Sequence, residues 1–197
     1  METTEPGILN IVPRFAQASF ATYQPQNRRA EINLKTCQGY VQTWAERKRA
    51  GEGMILCGRQ GTGKTHLAVA LCREIAAGGD EAVFITTASR IIRAFRRSWN
   101  SEGDMSEFDT LKFYSERDLL VIDEIGVQYG TESERHILFE VLNNRYEDLL
   151  PTILISNLPV TELAQFLVIG RWTECFRAAR YWPLTGKATG GKSHECL

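Results

Sequence analysis

The chain has 197 residues, with 23 Lys and Arg against 24 Asp and Glu and a formal net charge of -1. That length predicts one domain with room for a proper core, and the neutral balance excludes a globally basic nucleic-acid footprint, so any such contact needs a local patch. Cys37, Cys57, Cys72, Cys175 and Cys196 show no CxxC or Cys/His ligand spacing, an odd and scattered set that fits a reducing cytoplasm, and no run approaches membrane-spanning length.

Residues 1–25 carry Pro6, Pro13 and Pro25 and read as an extended N-terminal arm, with Phe15, Phe20 and Tyr23 expected to anchor it on the domain surface. A helix is predicted over 28–49, with Ile32, Tyr40, Val41 and Trp44 available for packing and Gly51 and Gly53 ending it. Met54-Ile55-Leu56-Cys57 reads as a short buried strand, and His66 to Ile75 as a helix closed by Gly78-Gly79. Between them lies Gly58-Arg59-Gln60-Gly61-Thr62-Gly63-Lys64-Thr65, a phosphate-binding loop in its strand–loop–helix setting. The glycines let backbone N–H groups curl around phosphates, and the helix N-terminus adds its positive end. Lys64 supplies a charge for the β- and γ-phosphates, and the Thr65 hydroxyl is placed for Mg²⁺. Together with His66, these eight residues form the expected nucleotide-binding set. Neither His66 nor His136 nor His194 reads as a metal ligand or a catalytic group. The motif predicts binding of a nucleoside triphosphate.

Ala82-Val83-Phe84-Ile85-Thr86 is the second predicted strand, with Ser89 as cap of the next helix. In that helix Ile91, Ile92, Phe95 and Trp99 share one face, and Arg90, Arg93 and Arg97 share the other. No acidic residue follows at i+4 within the segment, so the arginines form a candidate patch for single-stranded DNA; a solvated face is the plain alternative. A polar linker, 100–104, leads to a short helical stretch over 105–115.

Leu119-Leu120-Val121-Ile122 is a buried strand running into Asp123-Glu124. Asp123 at its carboxyl end is placed to hold Mg²⁺ opposite Thr65. Glu124 points to water as nucleophile, acting as general base. A helix over 132–148 precedes a fourth strand, Thr152-Ile153-Leu154-Ile155. Right-handed connections put Ser156-Asn157 beside the second strand, with Asn157 as a sensor that bonds the γ-phosphate and the attacking water. The alternation of strands and helices predicts an α/β fold with a three-layer parallel sheet.

These pieces together resemble the AAA+ domain of DnaC-type replicative helicase loaders and the closely similar IstB-like ATPases that assist transposases. The matching residues are Arg14-Phe15 through Phe20 and Tyr23, Gly58 to Thr65, Leu119 to Gln128, and Thr152 to Asn157. Within them Ile125-Gly126-Val127-Gln128 favours a loader over a transposition helper. The resemblance implies a P-loop NTPase of the AAA+ type over 26–167. It implies ATP and Mg²⁺ as cofactors, hydrolysis coupled to single-stranded DNA and a ring helicase, and homo-oligomers in which a neighbour's arginine completes each site. The basic helix after the second strand corresponds to a DNA-contacting region in the family. Loaders also carry a helicase-binding domain ahead of the entry motif, whereas thirteen residues precede Arg14 here. The alternatives are an IstB-like transposition ATPase and a nucleotide-binding protein with little turnover.

After Phe166-Leu167 the family continues with a Gly-acid-Arg segment, further arginines and an apolar strand. This chain instead reads Val168-Ile169-Gly170-Arg171-Trp172-Thr173-Glu174-Cys175, so 168–197 form a divergent tail. A changed reading frame after Leu167 accounts for the departure, since codons for Val168 to Lys192 can be chosen that restore the family pattern in the shifted frame. On that expectation the chain lacks the last strand of its sheet. Arg171, Arg177 and Arg180 are then not carried over as the completing arginine.

Overall fold

The computed structural model describes residues 8–99, 105–126, 131–159, 162–163 and 181–184. Among them, six strands form one parallel sheet: β1 (Ile8–Leu9), β2 (Gly53–Cys57), β3 (Val83–Thr87), β4 (Leu119–Ile125), β5 (Thr152–Ser156) and β6 (Tyr181–Leu184), in the order β1-β3-β4-β5-β2-β6. The helices are α1 (Arg28–Gln42), α2 (Trp44–Ala50), α3 (Lys64–Ala77), α4 (Ala88–Ser98), α5 (Glu107–Ser115) and α6 (Glu132–Glu147).

Continuous apolar runs in the central strands reflect burial on both faces. Side chains alternate between two cores with the period of a pleated strand. Met54, Leu56, Leu119, Val121, Ile153 and Ile155 pack with α1 and α3 residues such as Tyr40, Leu67 and Leu71. Ile55, Leu120, Ile122 and Leu154 face the other way, against Ile91 and Phe95 of α4 and Leu138 and Leu142 of α6. This is the expected three-layer α/β sandwich.

Four expectations about the helices are corrected. The predicted helix over 28–49 breaks at Thr43, where the hydroxyl donates to Gly39 O at 2.9 Å and the backbone leaves helical geometry before α2. Ile32 is 54% exposed, so it contributes little packing, while Tyr40, Val41 and Trp44 do pack inward. Thr87, not Ser89, caps α4, its side chain accepting from Arg90 N at 3.3 Å. The strand ends at Thr87 and the helix begins at once, which leaves Ser89 inside the first turn. Trp99, expected on the buried face of that helix, is 49% exposed at its end.

The fourth predicted strand, β5, lies between β2 and β4 and does not touch β3. Handedness fixes the face over which a connection crosses, not which strand receives it. The expected lack of a last strand is also corrected, because β6 pairs in parallel with β2, Met54 opposite Trp182 and Leu56 opposite Leu184. The sheet therefore has a strand on the far side of β2. The other tail residues, including Arg171 and Arg177 with Arg180, lie outside the described residues.

Two features of the N-terminal segment lie beyond the sequence expectation. Ile8–Leu9 forms an edge strand paired with β3, and Asn10 Nδ2 donates to Ile85 O at 3.1 Å. Phe15, Phe20 and Tyr23 pack against the α1/α3 core, as expected for anchors.

Candidate nucleotide site

All strands of a parallel sheet end at the same edge, and it is there that the chemistry-bearing residues gather. The loop 58–63 leaves β2 and enters α3 at Lys64. Gly63 has φ 81° and a Cβ there would sit 2.7 Å from Tyr23 Cε2, so neither its conformation nor its surroundings admit a side chain.

Lys64 turns back over the loop. Its ammonium donates to Gly58 O at 2.7 Å, Arg59 O at 3.0 Å and Asn157 Oδ1 at 2.9 Å, which uses all three of its donors. Burial lowers its pKa from the ordinary lysine value, and the negative charge of Asp123 opposes that shift. The next residue, Thr65, donates through Oγ1 to Asp123 Oδ2 at 2.7 Å. The β2/β5/β4 strand order is what makes both contacts possible: β5 carries Asn157 to one side of the loop and β4 carries Asp123 next to it.

At Asp123 the sheet departs from regularity. Between the pairs Ile122–Leu154 and Ile125–Ser156, β4 advances three residues while β5 advances two, which is a β-bulge. Glu124 falls inside it with φ 61°, a left-handed conformation uncommon for a residue with a side chain, and it is exposed. Its N–H donates to Asp123 Oδ1 at 2.6 Å. One Asp123 oxygen thus faces Thr65 while the other is held by the chain itself. Ser156 Oγ locks the far side, donating to Ile125 O at 2.6 Å and accepting from Leu158 N at 3.0 Å.

Beside the loop lies a cleft of about 410 Å³, lined by Tyr23, Gln26, Asn27 and Arg29 from the arm and α1, and by Gly61 and His66 from the loop and α3. Arg29 thus shares a cleft with residues of the phosphate loop. His66, included in the set by position alone, contacts the arm through Ser19 O at 2.9 Å. Arg59, Gln60 and Thr62 are exposed on the loop.

The arginines of α4 divide. Arg93 and Arg97 are exposed and form no ion pair with any described residue, whereas Arg90 is half-buried and close enough to Tyr114 for its charge to act on that phenol. Arg96, outside the expected set, donates to Glu134 Oε1 at 2.9 Å and ties α4 to the start of α6. The register pairs Thr87 with Asp123, so α4 leaves the sheet from the same edge as the nucleotide site.

Comparison with known proteins agrees with this geometry. The replicative helicase loader DnaC of Escherichia coli K12 is 32% identical over 157 residues, covering 80% of this chain and 62% of the relative. A crystal structure of the DnaC helicase loader superposes with a TM-score of 0.76 at 22% identity, covering 88% of this chain and 100% of that one. The replication initiator DnaA bound to AMPPCP and single-stranded DNA gives 0.69 at 18% identity, over 85% of this chain and 50% of that one. These likenesses establish the fold as the P-loop α/β type shared by DnaC and DnaA. The chain spans 62% of the length of the curated loader it matches. The model of the IstB-like ATP binding protein family matches residues 15–174, past the point where the tail was expected to diverge. With four-fifths of its length inside that match, the chain belongs to the IstB-like ATP binding protein family.

Proposed function

We propose that this chain is the ATPase domain of a DnaC-like helicase loader, binding MgATP and hydrolysing it in response to single-stranded DNA. The observation that carries the reading is the meeting of Lys64 with Asn157 and of Thr65 with Asp123 at one strand edge, at 2.9 and 2.7 Å.

ATP binding draws the Lys64 ammonium from the Gly58 and Arg59 carbonyls onto the β- and γ-phosphates. Arg59, Gln60, Gly61, Thr62 and Gly63 offer backbone N–H groups to the same oxygens, backed by the N-terminus of α3, while the Gly58 N–H is held by Ser156 O at 3.3 Å and fixes the start of the loop on β5. The Thr65 hydroxyl and the Asp123 carboxylate form a hard-oxygen pair that would hold Mg²⁺. When bound, the ion neutralises charge on the β- and γ-oxygens. Glu124 takes the proton from the attacking water, and Asn157, placed beside Lys64, orients that water against the γ-phosphate.

Arg93 and Arg97 give α4 an exposed cationic side, and Trp99, just past the end of the helix, presents a half-exposed indole on which a base can stack. Single-stranded DNA is the ligand we assign to that surface. The ring helicase, a homo-oligomeric assembly, a completing arginine from a neighbour and a cytoplasmic location are carried to the chain from the family resemblance. Among the described residues no helix is long and apolar enough to cross a membrane. Curated relatives from Escherichia coli and Buchnera aphidicola are replicative helicase loaders, which supports that role over transposition.

A steady-state ATPase assay with and without single-stranded DNA tests the proposal. Stimulation by DNA that disappears in Lys64→Ala is expected. Tight ATP binding with no turnover under any condition would instead favour a nucleotide-binding protein without hydrolysis.

A further inference from the structure

The arm is fastened to α3 at two points about two turns apart on one helical face. Arg73 donates through Nη2 to Ala16 O at 2.6 Å, and His66, seven residues earlier, reaches Ser19 O at 2.9 Å. A carbonyl only accepts, so the His66 contact requires a hydrogen on Nε2. Ala18, between the two points, is a buried plug in the α1/α3 core.

Ser19 opens a closed turn. Its N–H donates to Thr22 Oγ1 at 3.0 Å, and the Thr22 N–H returns to Ser19 Oγ at 3.1 Å. The turn delivers Tyr23 to the phosphate loop. The phenol lies edge-on to the His66 ring with centroids 5.4 Å apart, donates to Thr62 O at 3.4 Å, and fills the space that a side chain on Gly63 would need. Tyr23 and His66 both line the 410 Å³ cleft beside the loop. No contact in this chain of interactions passes through Lys64, Thr65 or Asp123.

We propose that His66 is a positioning residue for the nucleoside half of the ligand: by holding Ser19 O it fixes the 19–23 turn, and with it Tyr23, as one wall of the cleft beside the phosphate loop. The inference rests on the ATP-binding reading above. Loss of the latch frees the wall, so affinity falls for the part of the nucleotide that occupies the cleft, while the phosphate-binding loop keeps its own hydrogen bonds.

The test compares ATP with inorganic tripolyphosphate, which fills the loop but not the cleft, by competition against a fluorescent ATP analogue on the full chain. His66→Ala should weaken ATP by about tenfold more than tripolyphosphate, the scale of removing one hydrogen bond and its packing. His66→Gln, whose side-chain amide can donate to the same carbonyl, should recover most of the difference, and Tyr23→Ala should reproduce it. Equal losses for both ligands in His66→Ala, or no loss for either, would overturn the proposal. Were His66→Ala not to fold, Tyr23→Ala and His66→Gln would carry the same comparison, and unaltered ATP preference in Tyr23→Ala would overturn it. A wild-type chain that binds neither ligand would defeat the ATP-binding reading itself, and the latch with it.

Discussion

Lys64 Nζ and Asn157 Oδ1 stand 2.9 Å apart although 93 residues separate them in the chain. The contact exists because β5 inserts beside β2, and it puts a candidate γ-phosphate sensor against the loop lysine before any phosphate arrives. Lys64→Ala should abolish ATP binding, since no other described side chain reaches that position. Asn157→Ala, in contrast, leaves the loop carbonyls as partners for the ammonium. It should spare binding within a few-fold and lower turnover by about 10²-fold, as for other groups that orient a reacting atom. Equilibrium binding of a fluorescent ATP analogue, set beside steady-state ATPase rates, separates the two variants. Unchanged affinity in Lys64→Ala would remove the central claim.

Glu124 occupies a left-handed position inside the β4 bulge, with Asp123 bonded to its N–H. Glu124→Gln preserves that backbone and the oxygens of Asp123, and removes only the proton acceptor. MgATP binding should remain, and turnover should fall by about 10²–10⁴-fold, the range for removal of a general base. A binding defect as large as that of Lys64→Ala would show that Glu124 serves the ground state and not the proton transfer.

The sequence carried the phosphate loop, the acidic strand end and the layer architecture because each is a local pattern: glycine spacing, four apolar residues before Asp123, strands alternating with helices. It did not carry the neighbour relations. That β5 sits beside β2 depends on how two crossovers pack, and no residue within 152–157 encodes it. The bulge at Asp123–Glu124 appears only when β4 and β5 are laid side by side, and the His66–Ser19 contact only when the arm folds back on α3. The division of the α4 arginines was hidden for the same reason. A helical wheel places Arg90 with Arg93 and Arg97, but only Arg90 is half-buried, near enough to Tyr114 of α5 for its charge to act on the phenol. The missing last strand was an error of a different kind: it was inferred from the tail's departure from the family pattern after Leu167, whereas Tyr181–Leu184 pairs at the sheet edge, the place where a strand tolerates Pro183.

For the cationic side of α4, Arg93 and Arg97 should be changed to Glu together. Both are exposed and the substitution leaves Ile91, Ile92 and Phe95 in the core. Single-stranded DNA binding should weaken, and the log–log dependence on salt should flatten by about 0.7 for each phosphate that is no longer neutralised. Trp99→Ala should weaken binding with no change of slope, since stacking releases no counterions. Identical slopes in the wild type and the double variant would return this face to plain solvation.

The last prediction concerns acid stability and lies far from the nucleotide. Lys48 donates to Glu81 at 2.6 Å and pairs with Asp118 at 2.7 Å, and Asp118 also accepts from Ala82 N at 2.7 Å. Burial by itself would raise the Asp118 pKa; the hydrogen bonds from Lys48 and from the Ala82 N–H outweigh it and hold the carboxyl below its ordinary value of 3.8. In the unfolded chain the same carboxyl binds its proton at the higher, ordinary value. Folding therefore releases a proton in the window between the two, and the stability contributed by Asp118 is complete above 3.8 and is lost as the pH falls through the folded-state value. Asp118→Asn should lower stability by a constant amount from near neutral pH up to the lysine range and flatten the acid limb of the stability–pH curve. Denaturant unfolding between pH 2 and pH 7 measures this. Parallel curves for the wild type and Asp118→Asn across that range would show that the Lys48 cluster contributes no proton-linked stability.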